Sequence, residues 1–443
     1  MILAHRPVSE RFRIDVAAVS GAAVLAAMLA AGAALWPVPV LLATIVAGAI
    51  LSCLINVELA VLVLVAFAPL ELAISWGANS QLSPTKLAGL LCFSSFALFA
   101  IVSGRRLVFD RVHAVAALIL VISLLSTIAA HDQILAVRTT TRYASFVALC
   151  FVVGQFVGNH RLQTRIAWVL SIGSAITGVL ALSSFFSGES TAARLPFGDP
   201  GDIGFILATT LPFTFWLTRE HGPKRAAAIV LIGVIIVAAI LTLSRGTVVG
   251  LGAGLVWILV SDPRRSLRVV LVGGLVAIVA FAAVVHFERN RIELGLQGKA
   301  KVAEQNVETR LAAWNAAARF AVDHPLFGIG PGNFRIRYHE YADVPPGVPT
   351  VAVVHNSFLD IAAELGPIAM LLFIAYIVLV FHRLTIAVRQ RRGPPGFAVA
   401  ARTSLVIGLA ASLTLTEQYY APFWLLGGLA VALARDERTP VSS

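Results

Sequence analysis

The chain has 443 residues, of which 58% are hydrophobic and only 13% charged, and its mean hydropathy is +0.87. A soluble domain cannot hide so much apolar surface on helices that are apolar all round, so water-soluble classes are excluded and the chain reads as an all-α polytopic membrane protein. The formal net charge of +11 gathers in the loops of one membrane face, so it points to no nucleic-acid partner.

At the N-terminus Arg6, Arg11 and Arg13 precede an apolar run, as in a signal peptide. Further apolar segments follow at once, so this run is expected to remain as an uncleaved first span. Runs long enough for the hydrocarbon core predict spans near 14–35, 38–55, 57–75, 86–103, 112–129, 143–158, 166–186, 202–218, 226–243, 247–260, 267–285, 358–381, 397–415 and 422–434. That makes fourteen, or twelve if the crowded first three and the short runs at 247–260 and 422–434 include re-entrant or merged segments. Either even count puts both termini on one side. Cys53, Cys92 and Cys150 fall inside spans at a spacing that matches no metal or disulfide pattern, and they read as small buried side chains.

With the N-terminus in the cytoplasm, twenty Lys and Arg residues fall in inner segments, and five (Lys86, Arg138, Arg142, Arg194 and Arg245) in short outer loops. This is the positive-inside pattern. Both termini and the Arg389–Arg392 cluster are therefore expected inside, and the long polar interval outside. Three regions follow: 1–285, the N-terminal spans including Ser244-Arg245-Gly246; 286–356, the long extracytoplasmic loop; and 357–443, the C-terminal spans and tail.

The positive-inside rule gives no reason for Arg245 between two apolar runs. Charge near membrane depth is costly and usually pairs with something, although snorkelling to headgroups or capping a helix C-terminus would also account for it. In the long loop, residues 303–321 predict a helix whose apolar face carries Val307, Leu311, Trp314, Ala318 and Ala321. Asp323-His324-Pro325 mark its end. Arg310 and Trp314 are one turn apart and project the same way. Gly328, Gly330 and Gly332 around Pro331 predict a tight turn. No strand precedes them and no Gly-Lys-Ser/Thr follows, so neither a dinucleotide fingerprint nor a P-loop is present. His355, at the outer mouth of the next span, is the imidazole best placed for a general base, with His324 and His339 as competitors. Asn356 suits orientation of a partner or capping of the following helix.

Taken together these segments resemble a known family. Arg310-x-x-x-Trp314, His324-Pro325-Leu326-Phe327-Gly328-Ile329-Gly330-Pro331-Gly332-Asn333-Phe334, and His355-Asn356-Ser357-Phe358-Leu359 with Glu364-Leu365-Gly366 are similar to the core signature of the O-antigen ligase and polymerase superfamily. Ser244-Arg245-Gly246 resembles its short outer-face arginine motif. Arg194 with Phe197-Gly198-Asp199-Pro200 resembles a weaker upstream motif, and here Gly201 stands where an asparagine often follows. Glu417 resembles an acidic position in the last outer loop. The likeness covers roughly residues 190–425.

The resemblance implies a GT-C-like membrane glycosyltransferase. It would take a glycan from a polyprenyl-diphosphate donor to a hydroxyl of a lipid-linked or lipid A-core sugar at the outer face of the bacterial inner membrane. The residues suit that chemistry, because arginine grips phosphate oxygens bidentately and stays charged. Arg245 and Arg310 are expected to neutralise the diphosphate, and His355 to take the acceptor proton. Arg194, Trp314, Asn356 and Glu417 are expected to contact substrate. Glu288, Glu293, Glu304 and Glu308 have helix-surface spacing, so no metal and no cofactor are expected, and transfer should invert the anomeric centre. A ligase-type acceptor is favoured over polymerisation onto a second lipid-linked repeat, which the same motifs would serve. A passive solute or anion transporter, with discontinuous spans and midplane charges, fits less well than charges clustered at one outer face. Besides the two glycolipids, membrane lipids are the only expected partners.

Overall fold

The computed structural model describes residues 37–71, 73, 83–104, 107–156, 160–190, 192–195, 198–261, 303–341 and 353–435, with isolated positions at 274, 282, 293 and 294. The expected first span at 14–35 lies outside the described residues, as does nearly all of the span at 267–285. Among the described residues the chain is helical: α1 Pro37–Ile55, α2 Val57–Phe67, α3 Pro84–Ser103, α4 Arg111–Ile128, α5 Gln133–Phe156, α6 His160–Phe186, α7 Pro200–Leu217, α8 Pro223–Leu241, α9 Arg245–Ser261, α10 Ala303–Asp323, α11 Phe334–Arg337, α12 Ser357–Leu365, α13 Pro367–Arg389, α14 Phe397–Ser412 and α15 Ala421–Ala434.

Five of these, α3, α4, α6, α8 and α13, are long and apolar enough to cross a membrane, or six if α1 and α2 form one broken span bent by 118°. The break falls at Asn56, whose side chain caps α2 by accepting the Leu59 N–H at 3.1 Å. The shorter apolar helices α9, α14 and α15 pack among them. The polytopic all-α reading therefore holds.

Helix ends alternate along the chain, and this gathers the basic residues assigned to the inner segments. At one end of the bundle Arg383 pairs with Asp110. There too Trp216 and Arg219 donate to the Pro395 carbonyl, Arg392 to that of Ala434 and Arg435 to that of Gln155. The opposite end carries Arg245, the Arg142–Glu71 pair and the long-loop helix α10. The three cysteines are buried free thiols, as expected.

Two expectations need correction. The run at 358–381 is not one helix: it breaks at Gly366, whose φ is +92°, before Pro367. A left-handed glycine followed by proline cannot continue an α-helix. The spanning helix α13 thus starts at Pro367, and α12 stays with the long loop and packs on α10. The apolar face of α10 is also rotated from the one expected. Ala313, Ala316, Ala317 and Phe320 are buried together with the expected Ala321, and the expected Trp314 packs against them, whereas Leu311 is 51% exposed and Ala318 is exposed. Small side chains let α10 approach α12 closely, and close packing outweighs the larger apolar side chains that dominated the sequence pattern.

Candidate functional site

The site is built at the bundle end that carries α10, where four segments meet. Asp199 begins α7: its Oδ1 accepts the Gly201 N–H at 2.9 Å, with Pro200 in the first turn. This is a standard N-cap followed by a proline that needs no hydrogen-bonding partner. Arg245 begins α9, after Leu243 in a left-handed conformation (φ +50°) and Ser244, whose Oγ accepts the Thr247 N–H at 3.4 Å. Gly246 is required by packing: a Cβ there would run into Leu415 and Thr414 of the α14–α15 connection.

Arg310 sits on α10. Its pKa is lowered first by burial and then by the Arg245 charge, and raised by Asp199. His355 sits just before α12. Its imidazole is pushed down to about 4, first by burial and then by Arg310, with Asp199 acting the other way. The two guanidinium groups, the carboxylate and the imidazole are therefore electrostatic neighbours. Of the three non-glycine residues with positive φ among the described residues, Leu243 and His355 (φ +53°) flank or form this cluster. Such backbone outliers persist where surrounding contacts over-determine them, often at functional sites.

Those contacts are visible. Trp314, one turn after Arg310, donates its Nε1–H to the Val354 carbonyl at 3.0 Å. Asn356 caps α12 by accepting the N–H groups of Phe358 and Leu359 at 3.0 and 3.1 Å, and its Nδ2 donates to the Leu413 carbonyl. Ser357 donates to the Leu415 carbonyl at 3.0 Å and accepts the Glu417 N–H at 2.8 Å. His355 is thus clamped between α10 on one side and the α14–α15 connection on the other. The polar atoms of Trp314 and Asn356 are spent on this scaffold.

The glycine-rich turn is scaffold too. Gly328, Gly330 and Gly332 have φ of +64°, +102° and +76°. The N–H groups of Ile329 and Gly330 donate to the Ala363 and Glu364 carbonyls at 3.0 Å. The Glu364 carboxylate accepts from Gly332 N at 2.6 Å and Phe334 N at 3.2 Å, and from the Tyr419 hydroxyl. Asp360, one turn earlier, accepts from Gln418 and from the Tyr419 hydroxyl at 2.8 Å. Burial pushes both carboxyls up, Asp360 to about 7 and Glu364 well above its ordinary value with Asp360 adding to the effect. The Gly-rich and Glu364-Leu365-Gly366 motifs are therefore two halves of one joint that seats α10 on the bundle.

Neither Arg194 nor Glu417 is among the groups that shift Arg310 or His355. Arg194 is exposed, on a segment tied to α6 through its carbonyl, which accepts from Ser184 Oγ at 2.8 Å. Glu417 is fully buried, and neither carboxyl oxygen has a hydrogen-bond partner. Burial, then the Asp202 and Asp199 carboxylates, push its pKa well above the ordinary value. His339 is exposed on the turn after α11, and the His324 carbonyl accepts the Gly328 N–H at 3.0 Å. Asp199 is the group the sequence motifs leave in the background, although Asp-Pro before an apolar run is an N-cap signal. Among the described residues no three His, Cys, Asp or Glu side chains are grouped so as to hold a metal ion.

The fold and this cluster define a polytopic helical membrane protein with an arginine, histidine and carboxylate site at one end of its bundle. Residues 227–374, which run from α8 through α10 into α13 and include Arg245, Arg310 and His355, match the family model described as O-antigen ligase. A curated O-antigen ligase of Pseudomonas aeruginosa is 23% identical over 318 residues, covering 68% of this chain and 71% of that protein. These matches support a relationship to the O-antigen ligase and polymerase superfamily.

Proposed function

We propose that the chain is a ligase-type membrane glycosyltransferase. It transfers a glycan from a polyprenyl-diphosphate donor to a hydroxyl of a separate lipid-linked or lipid A-core sugar, at the outer face of the bacterial inner membrane. The observation that carries this reading is one cluster in which Arg245 acts on Arg310, and Arg310 and Asp199 act on a half-buried His355. The matched family model and the matched Pseudomonas aeruginosa protein are both described as O-antigen ligase, which favours transfer to a separate acceptor over polymerisation.

In the proposed step the acceptor oxygen forms a bond to the anomeric carbon while the bond from that carbon to the diphosphate breaks on the opposite face. The configuration inverts. His355 takes the hydroxyl proton. The bond electrons leave with the polyprenyl diphosphate, whose growing charge Arg245 and Arg310 offset. Burial and the adjacent Arg310 keep the imidazole unprotonated and able to accept a proton. Trp314 and Asn356 hold it in place, and Arg194 meets the glycan or phosphate from the exposed side. Burial, then the Asp202 and Asp199 carboxylates, favours the neutral form of Glu417. Two fixed cations supply the charge that a metal would otherwise provide, so transfer is metal-independent.

Purified enzyme supplied with lipid-linked donor alone, and with donor plus a separate glycolipid acceptor, tests the reading. Product only in the second reaction is expected, at a rate unchanged by EDTA. Chains longer than the supplied glycan in the first reaction would make the protein a polymerase. A loss with EDTA that Mg²⁺ or Mn²⁺ restores would overturn metal independence.

A further inference from the structure

A groove of about 760 Å³ opens between α3, α4 and α5, within the size range of ligand sites. Gly89 on α3, Ala117 on α4 and Ala148 on α5 line it, and their small side chains give it its width. Leu90 and Phe93 stand along one wall, 63% and 49% exposed. Its inner end is closed by aromatic rings: Phe151 lies 5.5 Å from Phe109 and 5.0 Å from His113, centroid to centroid. Its other end, at the start of α3, is lined by Lys86. The groove is therefore apolar along the membrane normal and cationic at one mouth.

A chain of side-chain contacts links that mouth to the transfer site. Lys86 feels the charges of Arg142, Glu71 and Arg138. Arg142 pairs with Glu71 at 3.2 Å and lies over the Tyr420 ring at 5.8 Å. The Tyr420 hydroxyl donates to Asp202 at 2.8 Å. Asp202 is in the first turn of α7, just after Asp199 at the cluster. Three basic side chains against two carboxylates, Glu71 and Asp202, leave the mouth net positive, as an anionic headgroup needs. A soluble ligand would gain little from so apolar a wall. A long hydrocarbon chain with a diphosphate at its outer end matches both features.

We propose that this groove holds the hydrocarbon chain of the lipid-diphosphate donor and delivers its diphosphate past Lys86 and Arg142 towards Arg245 and Arg310. The assignment rests on the transfer reading above and adds where the donor's chain is held.

Ala117→Trp would fill the groove from a lipid-exposed position, and Ala148→Phe from the facing helix in case the first variant is poorly folded. Val121→Trp, on α4 at a position 48% exposed and outside the lining, is the control. Each is assayed with a donor carrying a full-length polyprenyl chain and with one whose chain is cut to a few isoprene units. Filling the groove should raise KM for the long-chain donor roughly tenfold or more by denying its methylenes their contacts. It should leave kcat, the short-chain KM and the acceptor KM unchanged, with no effect of the control. An unchanged long-chain KM overturns the groove while wild-type turnover still supports transfer. A rise confined to the acceptor KM also overturns the donor assignment. If wild type turns over neither donor, the transfer reading fails and native mass spectrometry decides the groove. Retention of added polyprenyl diphosphate against excess phosphatidylglycerol, lost in Ala117→Trp, supports it. Retention that the substitution leaves intact, or equal loss of both lipids, overturns it.

Discussion

Trp314 Nε1–H donates to the carbonyl of Val354, at 3.0 Å, immediately before His355. The helix that carries Arg310 therefore also holds the backbone that presents the imidazole, and it fixes base and cation relative to one another. A Trp314→Phe variant keeps the apolar ring and loses only this bond. The net worth of such a bond is about 1 kcal/mol, or roughly five- to tenfold. kcat is expected to fall by that factor with the donor KM little changed. In a His355→Ala background the substitution should cost almost nothing further, since it acts through the histidine. A donor KM that rises with kcat intact would make Trp314 a substrate contact instead.

Arg245→Ala and Arg310→Ala should each lower turnover by roughly 30- to 1000-fold, or about 2–4 kcal/mol, without unfolding the protein. Lysine should rescue poorly at both positions, because a point charge lacks the two-pronged grip. Steady-state kinetics in nanodiscs, with melting curves as a control, decide this. Normal turnover by either alanine variant removes that arginine from the mechanism.

The pH profile carries a sign. The free enzyme holds His355 at about 4, below its ordinary range, so kcat/KM should stay flat down to weakly acidic pH and fall only below it. Bound diphosphate brings negative charge beside the imidazole and favours its protonated form. The acid limb of kcat should therefore lie at higher pH than that of kcat/KM. Arg310→Ala removes a neighbouring positive charge and should move the kcat/KM limb upward, while Arg310→Lys should not. A limb that stays fixed in Arg310→Ala would separate His355 from the observed titration.

Glu364→Ala should destabilise the outer joint. It leaves the N–H groups of Gly332 and Phe334 without their acceptor, at a cost of about 1–3 kcal/mol for a buried unsatisfied donor. Faster proteolysis between residues 324 and 341 and a lower melting temperature in detergent are expected. Unchanged protease sensitivity would show that the joint does not hold the loop.

Topology can be read by cysteine accessibility. Arg335→Cys, at an exposed position after the glycine turn, should react with a membrane-impermeant maleimide in intact cells whose outer membrane has been permeabilised. Reaction only after the inner membrane is broken would place the site, and its donor, in the cytoplasm.

The sequence by itself determined the class of the protein, because apolar runs of spanning length admit one solvent and one secondary structure. It also singled out Arg245, Arg310 and His355 as candidates, since costly charges and an imidazole stood out against an apolar background and fell within recognisable motifs. The helix expected at 303–321 emerged as Ala303–Asp323, because its start, period and proline stop are all local signals. The tertiary structure decided what is not local. Which face of α10 is buried depends on how closely its alanines approach α12. The run at 358–381 divides at Gly366 because a left-handed backbone there lets α12 leave the bundle. The glycine-rich motif proved to be a joint with Glu364 across thirty residues of sequence, and Asp199 entered the site only when α7 brought its cap beside α10. Spacing along a chain reports periodicity and turn chemistry, whereas contact between distant segments is set by packing, which no local pattern encodes.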